Sequence, residues 1–368
     1  IDPSMKILFI AFNKDIVTAI EAKIQGYDNV RVMTYHSLGM HMLMEAFPDM
    51  YSHDTEYINE SKYRIYLKEH INELSTYVRT HRLNKSQYES YVNNVTHLVD
   101  YSRYYLIMKE RAIKARAEFY GMNVMGDEAA VCRLLLEWGK EHRETLDYCD
   151  MIWLPNVLKL ATRRYLSDFI FIDEAQDTTI AQKDLVCRTF KRGSRFLAVG
   201  DEKQQINLWC GASEEAIDSF KKMKNVKTLS LPISYRCPKR VIRFVQEISS
   251  DIKAADNAIE GCIRYDVKDT NPNAGDMVLC RNTAPLIELS LKYLRINKQF
   301  VFKGCKQMKK TYLDMIRACD STYIDREMST YDGLIPQLYR NMFDAQERLM
   351  QQYGLDEDDS LMHYQEYW

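Results

Sequence analysis

Asp173 and Glu174 stand side by side at the end of a short apolar run, Phe169-Ile170-Phe171-Ile172. Such a run reads as a strand buried on both faces, as in a parallel sheet. Acids at the carboxyl end of that strand sit where open α/β sheets bind ligands. One carboxylate there can hold Mg²⁺, and its neighbour can position a water for attack on a phosphate. The plainer reading, acids that only cap the next helix, stays open on these residues alone. Two further turns offer matching chemistry. Arg195 to Val199 reads as a strand ending in Gly200-Asp201-Glu202-Lys203-Gln204-Gln205. Gly200 permits a sharp turn there, and Gln204 can reach a phosphate or the attacking water. Lys227 to Leu231 reads as a strand followed by Ser234-Tyr235-Arg236-Cys237-Pro238. An Arg at such a junction can grip a phosphate through two parallel hydrogen bonds.

These groups need a sheet whose polar ends are aligned. Lys6 to Phe12 supplies an apolar strand, and Asn13-Lys14-Asp15 opens a helix with Ile16, Val17, Ile20 and Ile24 at helical spacing. Val30 to Thr34 supplies another strand, running into Tyr35-His36-Ser37. Thr34, His36 and Ser37 fit ligand contact or simple helix capping. Repeated strand and polar turn units indicate an α/β fold. Asp49 to Tyr120 lacks Pro and Gly and reads as an all-helical insertion. Its bases, among them Lys62, Arg64, Arg79 and Arg103, alternate with tyrosines, which suits either a single-strand-binding face or a solvated helix surface. Leu146 to Pro155 reads as an acidic-aromatic turn leading to the central strand. Trp209 reads as an exposed loop aromatic or a core residue. A second α/β unit opens at about residue 225, with Asp276 to Thr283 as strand and turn, a helix to Arg295 and a strand at Gln299 to Phe302.

At 368 residues the chain has room for two or three domains. Formal net charge is −2, so any anion-binding surface must be local. Nine scattered cysteines, with no Cys-x-x-Cys pair, indicate reduced thiols in an intracellular protein rather than a disulfide framework or a metal site. No apolar run reaches membrane-spanning length, so no membrane partner is expected.

In this order, the turns resemble superfamily 1 DNA helicases of the UvrD/PcrA/Rep type, with the F-box-helicase-like branch nearest. Phe12-Asn13-Lys14 matches motif Ia, Thr34-Tyr35-His36-Ser37 motif Ib, and Asp173-Glu174-Ala175-Gln176-Asp177 the Walker B segment. Gly200 to Ile206 is similar to motif III, Ser234-Tyr235-Arg236 to motif IV, and Leu279-Cys280-Arg281-Asn282 to the strand that follows. The resemblance implies RecA-like parallel sheets with a helical insertion, in two RecA-like domains that are both incomplete. The first would comprise residues 5–48 and 122–224, and the insertion 49–121. The second would start over 225–305, with 306–368 a helical segment and possible second insertion. It implies ATP and Mg²⁺ as cofactors and single-stranded or duplex DNA as partner, and leaves room for a protein partner. Asp173 would hold Mg²⁺, Glu174 would be the catalytic base, Gln204 would sense the γ-phosphate and Arg236 would be an arginine finger. Phe12, Asn13, Lys14, Thr34, His36, Ser37 and Trp209 would line the DNA path.

The sequence departs from the family pattern. It contains no Gly-x-x-x-x-Gly-Lys-Ser/Thr, and motifs V and VI do not appear before Trp368. Asn207 and Cys210 stand where the family usually has Tyr and Arg. Ile1 to Ser4, ahead of Met5, read as a cloning remnant or a splice. Two readings follow. One is a fragment or deletion of an ATP-dependent 3′–5′ helicase that binds nucleotide weakly by itself. The other is a non-catalytic protein that binds single strands or docks a partner.

Overall fold

A computed structural model describes residues 2–51, 57–124, 126–205, 214–265, 272–296 and 298–301. Trp209 and everything beyond Val301, including the helical segment expected from 306, lie outside the described residues. The chain divides into two compact units, with the boundary after Cys262.

The first unit is built on a four-stranded parallel sheet. Its strands are β1 (Ile7–Ala11), β2 (Val30–Thr34), β3 (Ser167–Ile172) and β4 (Phe190–Ala198), in the order β2-β1-β3-β4. Ile10 pairs with Met33 on one side and with Ile172 on the other, so the polar turns after β1, β2 and β3 emerge at one edge. Helix α1 (Lys14–Lys23) follows β1, and α2 (Tyr35–Ala46) follows β2. Leu8, Ile10, Ile170 and Ile172 pack with Leu38 and Met42 of α2 and with Leu185 and Val186 beyond β3. β4 starts five residues before the expected strand, at Phe190. Gly193 takes a φ of 87°, and the register with β3 shifts between Ser167 and Phe169.

In its described residues the segment between β2 and β3 is mainly helical, with one isolated bridge between Ile58 and Leu146. It holds α3 (Lys62–Leu74), α4 (Thr76–Thr80), α5 (Lys85–Tyr104), α6 (Glu110–Phe119), α7 (Glu128–Glu141) and α8 (Tyr148–Val157). Leu67, Val95, Leu98, Ile113, Leu135, Leu136 and Trp153 form its core. The expected turn over Leu146 to Pro155 is therefore a helix. Its start is fixed by a reciprocal cap, in which the Asp150 amide donates to Asp147 Oδ1 at 2.8 Å and the Asp147 amide donates to Asp150 Oδ2 at 3.3 Å.

The same two aspartates anchor a buried charge network. Arg103 Nη1 donates to both Asp147 oxygens at 2.7 Å and to Asp150 Oδ1 at 2.9 Å. Lys62 Nζ donates to Asp150 Oδ2 at 2.7 Å and to the Thr145 carbonyl at 2.6 Å, and Tyr63 Oη donates to Asp150 Oδ1 at 2.8 Å. The Asp150 side chain is 0% exposed and that of Arg103 is 2%. Burial pushes the Asp147 carboxyl up to about 6, against the pull of Arg103. Two bases of the tyrosine-rich segment thus pair with acids inside the protein and face no nucleic acid. A second junction centres on Asp127, which accepts from Ser75 Oγ at 2.8 Å, the Tyr77 amide at 3.0 Å and Tyr91 Oη at 2.7 Å.

After β3 come α9 (Ile180–Cys187), and, following β4, α10 (Glu214–Lys221). Then a two-residue parallel pair, β5 (Ile233–Ser234) and β6 (Lys253–Ala254), flanks α11 (Lys239–Val245). The expected strand at Lys227 to Leu231 is irregular, with Leu229 and Leu231 exposed. The second unit carries α12 (Thr283–Arg295), the expected helix. The strands expected at Asp276 to Thr283 and at Gln299 to Phe302 are not strands in their described residues, and Phe302 is not described. A strand needs a ladder partner for its backbone groups, and local apolar content does not supply one. Among the described residues, no helix is long and apolar enough to cross a membrane.

Removing Arg103 leaves two buried acids short of a cation. Arg103→Ala is expected to cost about 3–5 kcal/mol in urea denaturation. Asp127 gives a pH signature. Burial alone would raise its pKa, but the hydrogen bonds from Tyr91, Tyr77 and Ser75 outweigh it and hold the group below its usual value. Its stabilising contribution is whole above about pH 4 and is lost as pH falls through the depressed folded value. The stability deficit of Asp127→Asn, followed by denaturation from pH 7 down to pH 2, should shrink below about pH 4.

Candidate active site at the carboxyl edge of the sheet

The carboxyl edge brings four of the expected turns together, those after β1, β2, β3 and β4. Asp173 continues β3, and its amide donates to the Ile10 carbonyl of β1 at 3.2 Å. Its Oδ1 accepts from the Glu174 amide at 3.1 Å. Glu174 has φ 50° and ψ 48°, a left-handed conformation uncommon outside glycine. Such strain persists only where neighbours over-determine it. Here they do: the Ala175 amide donates to the Val199 carbonyl at 2.9 Å, and Gln176 Nε2 donates to Glu174 Oε2 at 2.6 Å. The two acids do not cap the next helix. Thr179 does that, its Oγ1 accepting from the Gln182 amide at 3.1 Å.

Gln176 connects this turn to the next one. It is 3% exposed, and its Oε1 accepts from the Asp201 amide at 3.1 Å. Gln205 Nε2 returns a bond to the Gln176 carbonyl at 2.8 Å. Gly200 is what allows the approach, since a Cβ there would lie 2.6 Å from Gln176 Oε1. In the sequence Gln176 stands only as one letter of the Asp-Glu-Ala-Gln-Asp motif. Its signal was a polar side chain directly after Ala175 in an otherwise closing turn.

Gln204 closes a short 3₁₀ turn and donates through Nε2 to Asp201 Oδ2 at 2.9 Å. Lys203 Nζ reaches forward to the Ile248 carbonyl and Ser249 Oγ, both at 3.2 Å. The motif III turn is thereby tied to the segment after α11. Arg236 is exposed, with no hydrogen bond or ion pair among the described residues. Neither Gln204 nor Arg236 touches Asp173 or Glu174 in this arrangement.

The other expected contacts lie on the same edge. Asn13 caps α1, its Oδ1 accepting from the Ile16 amide at 3.0 Å, and Thr34 caps α2, its Oγ1 accepting from the Ser37 amide at 3.2 Å. The capping reading thus accounts for both side chains. Phe12 is 36% exposed, Lys14 is exposed, and Ser37 is half-buried in the first turn of α2. His36 packs edge-on to Tyr148 at 5.9 Å, and burial holds its pKa below the usual imidazole value. Buried Tyr35 shares a 2.9 Å hydrogen bond with Thr178 Oγ1. Burial raises the Tyr35 hydroxyl pKa; the Thr178 bond opposes this and the nearby Asp173 charge adds to it.

No group of three or more His, Cys, Asp or Glu side chains is placed to hold a metal among the described residues. The donor set fits Mg²⁺ nonetheless. That ion takes one or two carboxylates and fills its other positions with water and substrate phosphates. Asp173 and Glu174 are hard oxygen donors at one strand end.

The family described as UvrD/REP helicase N-terminal domain matches residues 2–225. The ATP-dependent DNA helicase PcrA of Bacillus subtilis is 24% identical over 256 residues, 66% of this chain and 33% of that protein. The ATP-dependent DNA helicase Rep of Buchnera aphidicola subsp. Baizongia pistaciae is 31% identical over 113 residues, 29% of this chain and 17% of the relative. A probable DNA helicase II homolog of Mycoplasma pneumoniae is 26% identical over 170 residues, 44% of this chain and 21% of the relative. The chain thus spans a third or less of the length of these relatives.

Gln176→Ala removes the bridge between the two turns. Amide exchange at Asp201 should speed up by roughly tenfold, the equivalent of about 1.4 kcal/mol. Gly200→Ala should do the same by forcing the turns apart, and mass-spectrometric hydrogen exchange reads both.

Proposed function

The chain belongs to the UvrD/REP helicase family, and from that premise we propose that it carries the Walker B half of an ATP-driven DNA motor that tracks a single strand 3′ to 5′. One observation carries the reading: Asp173 and Glu174 emerge from an inner parallel strand in a strained turn that Gln176 hydrogen-bonds to the turn holding Gln204. A carboxylate pair for phosphate chemistry is thereby mechanically linked to a turn that can report it.

The proposed roles are those that the family resemblance implies, and the placement of the turns supports them. Asp173 would hold Mg²⁺, which would supply charge neutralisation for phosphoryl transfer. Glu174 orients the attacking water and takes its proton. Its carboxylate already accepts from Gln176 at 2.6 Å, which sets the side chain's direction. Gln204 senses the γ-phosphate and relays through Lys203 to the segment after α11. Arg236, exposed and without a hydrogen bond or ion pair among the described residues, is available to close on the phosphate.

The strand path would cross the same edge. The amino ends of α1 and α2 open there, and free helix amides bind phosphates. Asn13, Thr34 and Ser37 contribute through those capped ends, and Lys14 adds a charge. Phe12 offers a ring for stacking, the family resemblance would add Trp209, and His36, kept neutral, stacks rather than pairs. A protein of this kind acts where DNA is, in the cell interior.

The phosphate loop must come from residues other than these 368. β4 leaves room for its strand. Among the described residues it is an edge strand of the sheet, and Leu197 and Val199 are 46% and 45% exposed. The competing reading is a non-catalytic single-strand-binding or partner-docking protein.

Hydrolysis assays separate the two. This chain alone should bind ATP weakly and show no robust turnover with or without single-stranded DNA. A longer protein supplying the loop should hydrolyse ATP in a DNA-stimulated manner, and Glu174→Gln should lower its kcat by about 10²–10⁴ while nucleotide binding is retained. DNA binding without hydrolysis in that longer protein would favour the non-catalytic reading. Robust hydrolysis by the present chain, abolished by Glu174→Gln, would overturn the requirement for an added loop.

A further inference from the structure

The amino ends of the same strands carry a second concave site. β1, β2 and β3 start close together, and the loops before them enclose about 540 Å³. That volume is typical of a small-molecule pocket. Asn29 pins one wall, its Nδ2 donating to the Asp2 carbonyl at 3.0 Å and to the Met5 carbonyl at 2.7 Å. The charged lining is Lys6, Arg31 and Arg164 against the single acid Asp28. Lys6 acts partly on Asp168 outside the lining.

Arg31 and Arg164 are the unusual pair. Their guanidinium carbons lie 5.2 and 5.8 Å from the centre of the Tyr165 ring. Neither has a carboxylate partner among the described residues. The same ring stacks on His41 at 5.5 Å, and the buried His41 Nδ1 has no hydrogen-bond partner. Burial first, then the fields of Arg164 and Arg31, hold the His41 pKa below its usual value. Arg31 Nη1 also donates to the Arg164 carbonyl at 3.5 Å, so two cationic side chains share one neighbourhood that an anion can neutralise. Guanidinium forks match phosphate oxygens in geometry and charge. At the rim, Tyr27 is 45% exposed and presents a ring on which a base can stack.

From this cavity, the two guanidinium groups and the exposed ring, we infer that the amino-edge cleft binds a mononucleotide, its phosphate between Arg31 and Arg164 and its base against Tyr27. The site is separate from the proposed ATP site. The five residues of β1 lie between them, about 16 Å of extended chain. It does not depend on the motor reading.

The test is a calorimetric and NMR titration of this chain, without Mg²⁺, using AMP, inorganic phosphate and a short oligothymidylate. AMP should bind more tightly than inorganic phosphate and should shift the His41 ring resonances. The Arg31→Gln/Arg164→Gln variant should weaken AMP at least tenfold. Both residues are exposed, so the fold should be kept. Tyr27→Ala, a milder change, should erase the advantage of AMP over phosphate. No binding of AMP, or equal affinity for AMP and phosphate, overturns the assignment. So does AMP binding that Asp173→Asn abolishes and Arg31→Gln/Arg164→Gln does not. An oligonucleotide bound tenfold more tightly than AMP, through the same arginines, would make the cleft a strand contact and overturn the mononucleotide reading.

Discussion

Arg103 and Lys62, out of water and shared between Asp147 and Asp150, are the interaction on which the rest of the first unit depends. Burying two cations and two acids is costly, and only complete pairing offsets it. The pairing here is nearly complete, because Asp150 accepts from Arg103, Lys62 and Tyr63 while capping its own helix. The consequence is positional. α3 and α5 are clamped to the first turn of α8, and α8 packs on α2 and α9, the helices that follow β2 and β3. At Gly39 a Cβ would stand 1.9 Å from the Met151 carbonyl, so α2 and α8 meet backbone to backbone. The network that fixes the start of α8, where Tyr148 meets His36, thereby sets the helices whose starts form the carboxyl edge.

At the edge itself, hydrogen bonds do what packing does elsewhere. Glu174 would relax from its left-handed conformation if Ala175 and Gln176 were free. Val199, Gly200 and Asp201 hold them. Strain at the acid and closeness at the glycine are two sides of one contact between β3 and β4. A hydrogen-bonded path thus runs from the Asp201 amide to the Glu174 carboxylate through the one buried side chain of Gln176.

Much of this was legible in the residues. The strands β1, β2 and β3, the polar turns after them and the helical run before β3 follow from apolar run length and helical spacing. Other features were not. Asp147 and Asp150 looked like turn residues because acids beside aromatics have no periodic signature, yet three-residue spacing let them cap each other. Lys62 and Arg103 looked like surface charges because burial of a base depends on acids 88 and 44 residues away in the chain. Lys227 to Leu231 has strand composition but pairs with no strand among the described residues, and stays irregular.

By itself, the sequence determined the local alphabet: which segments extend, which coil into helix, and which acids, amides and bases stand at their ends. Those choices rest on side-chain shape and spacing within a few residues. Only the tertiary structure decided the pairings. It spent Asn13 and Thr34 on caps and left the capping of α9 to Thr179. It put Gln176 between two turns and brought Arg31 and Arg164 to one ring at the opposite end of the strands. Contacts across 25 or 133 residues are set by how the sheet and helices stack, which no local pattern encodes.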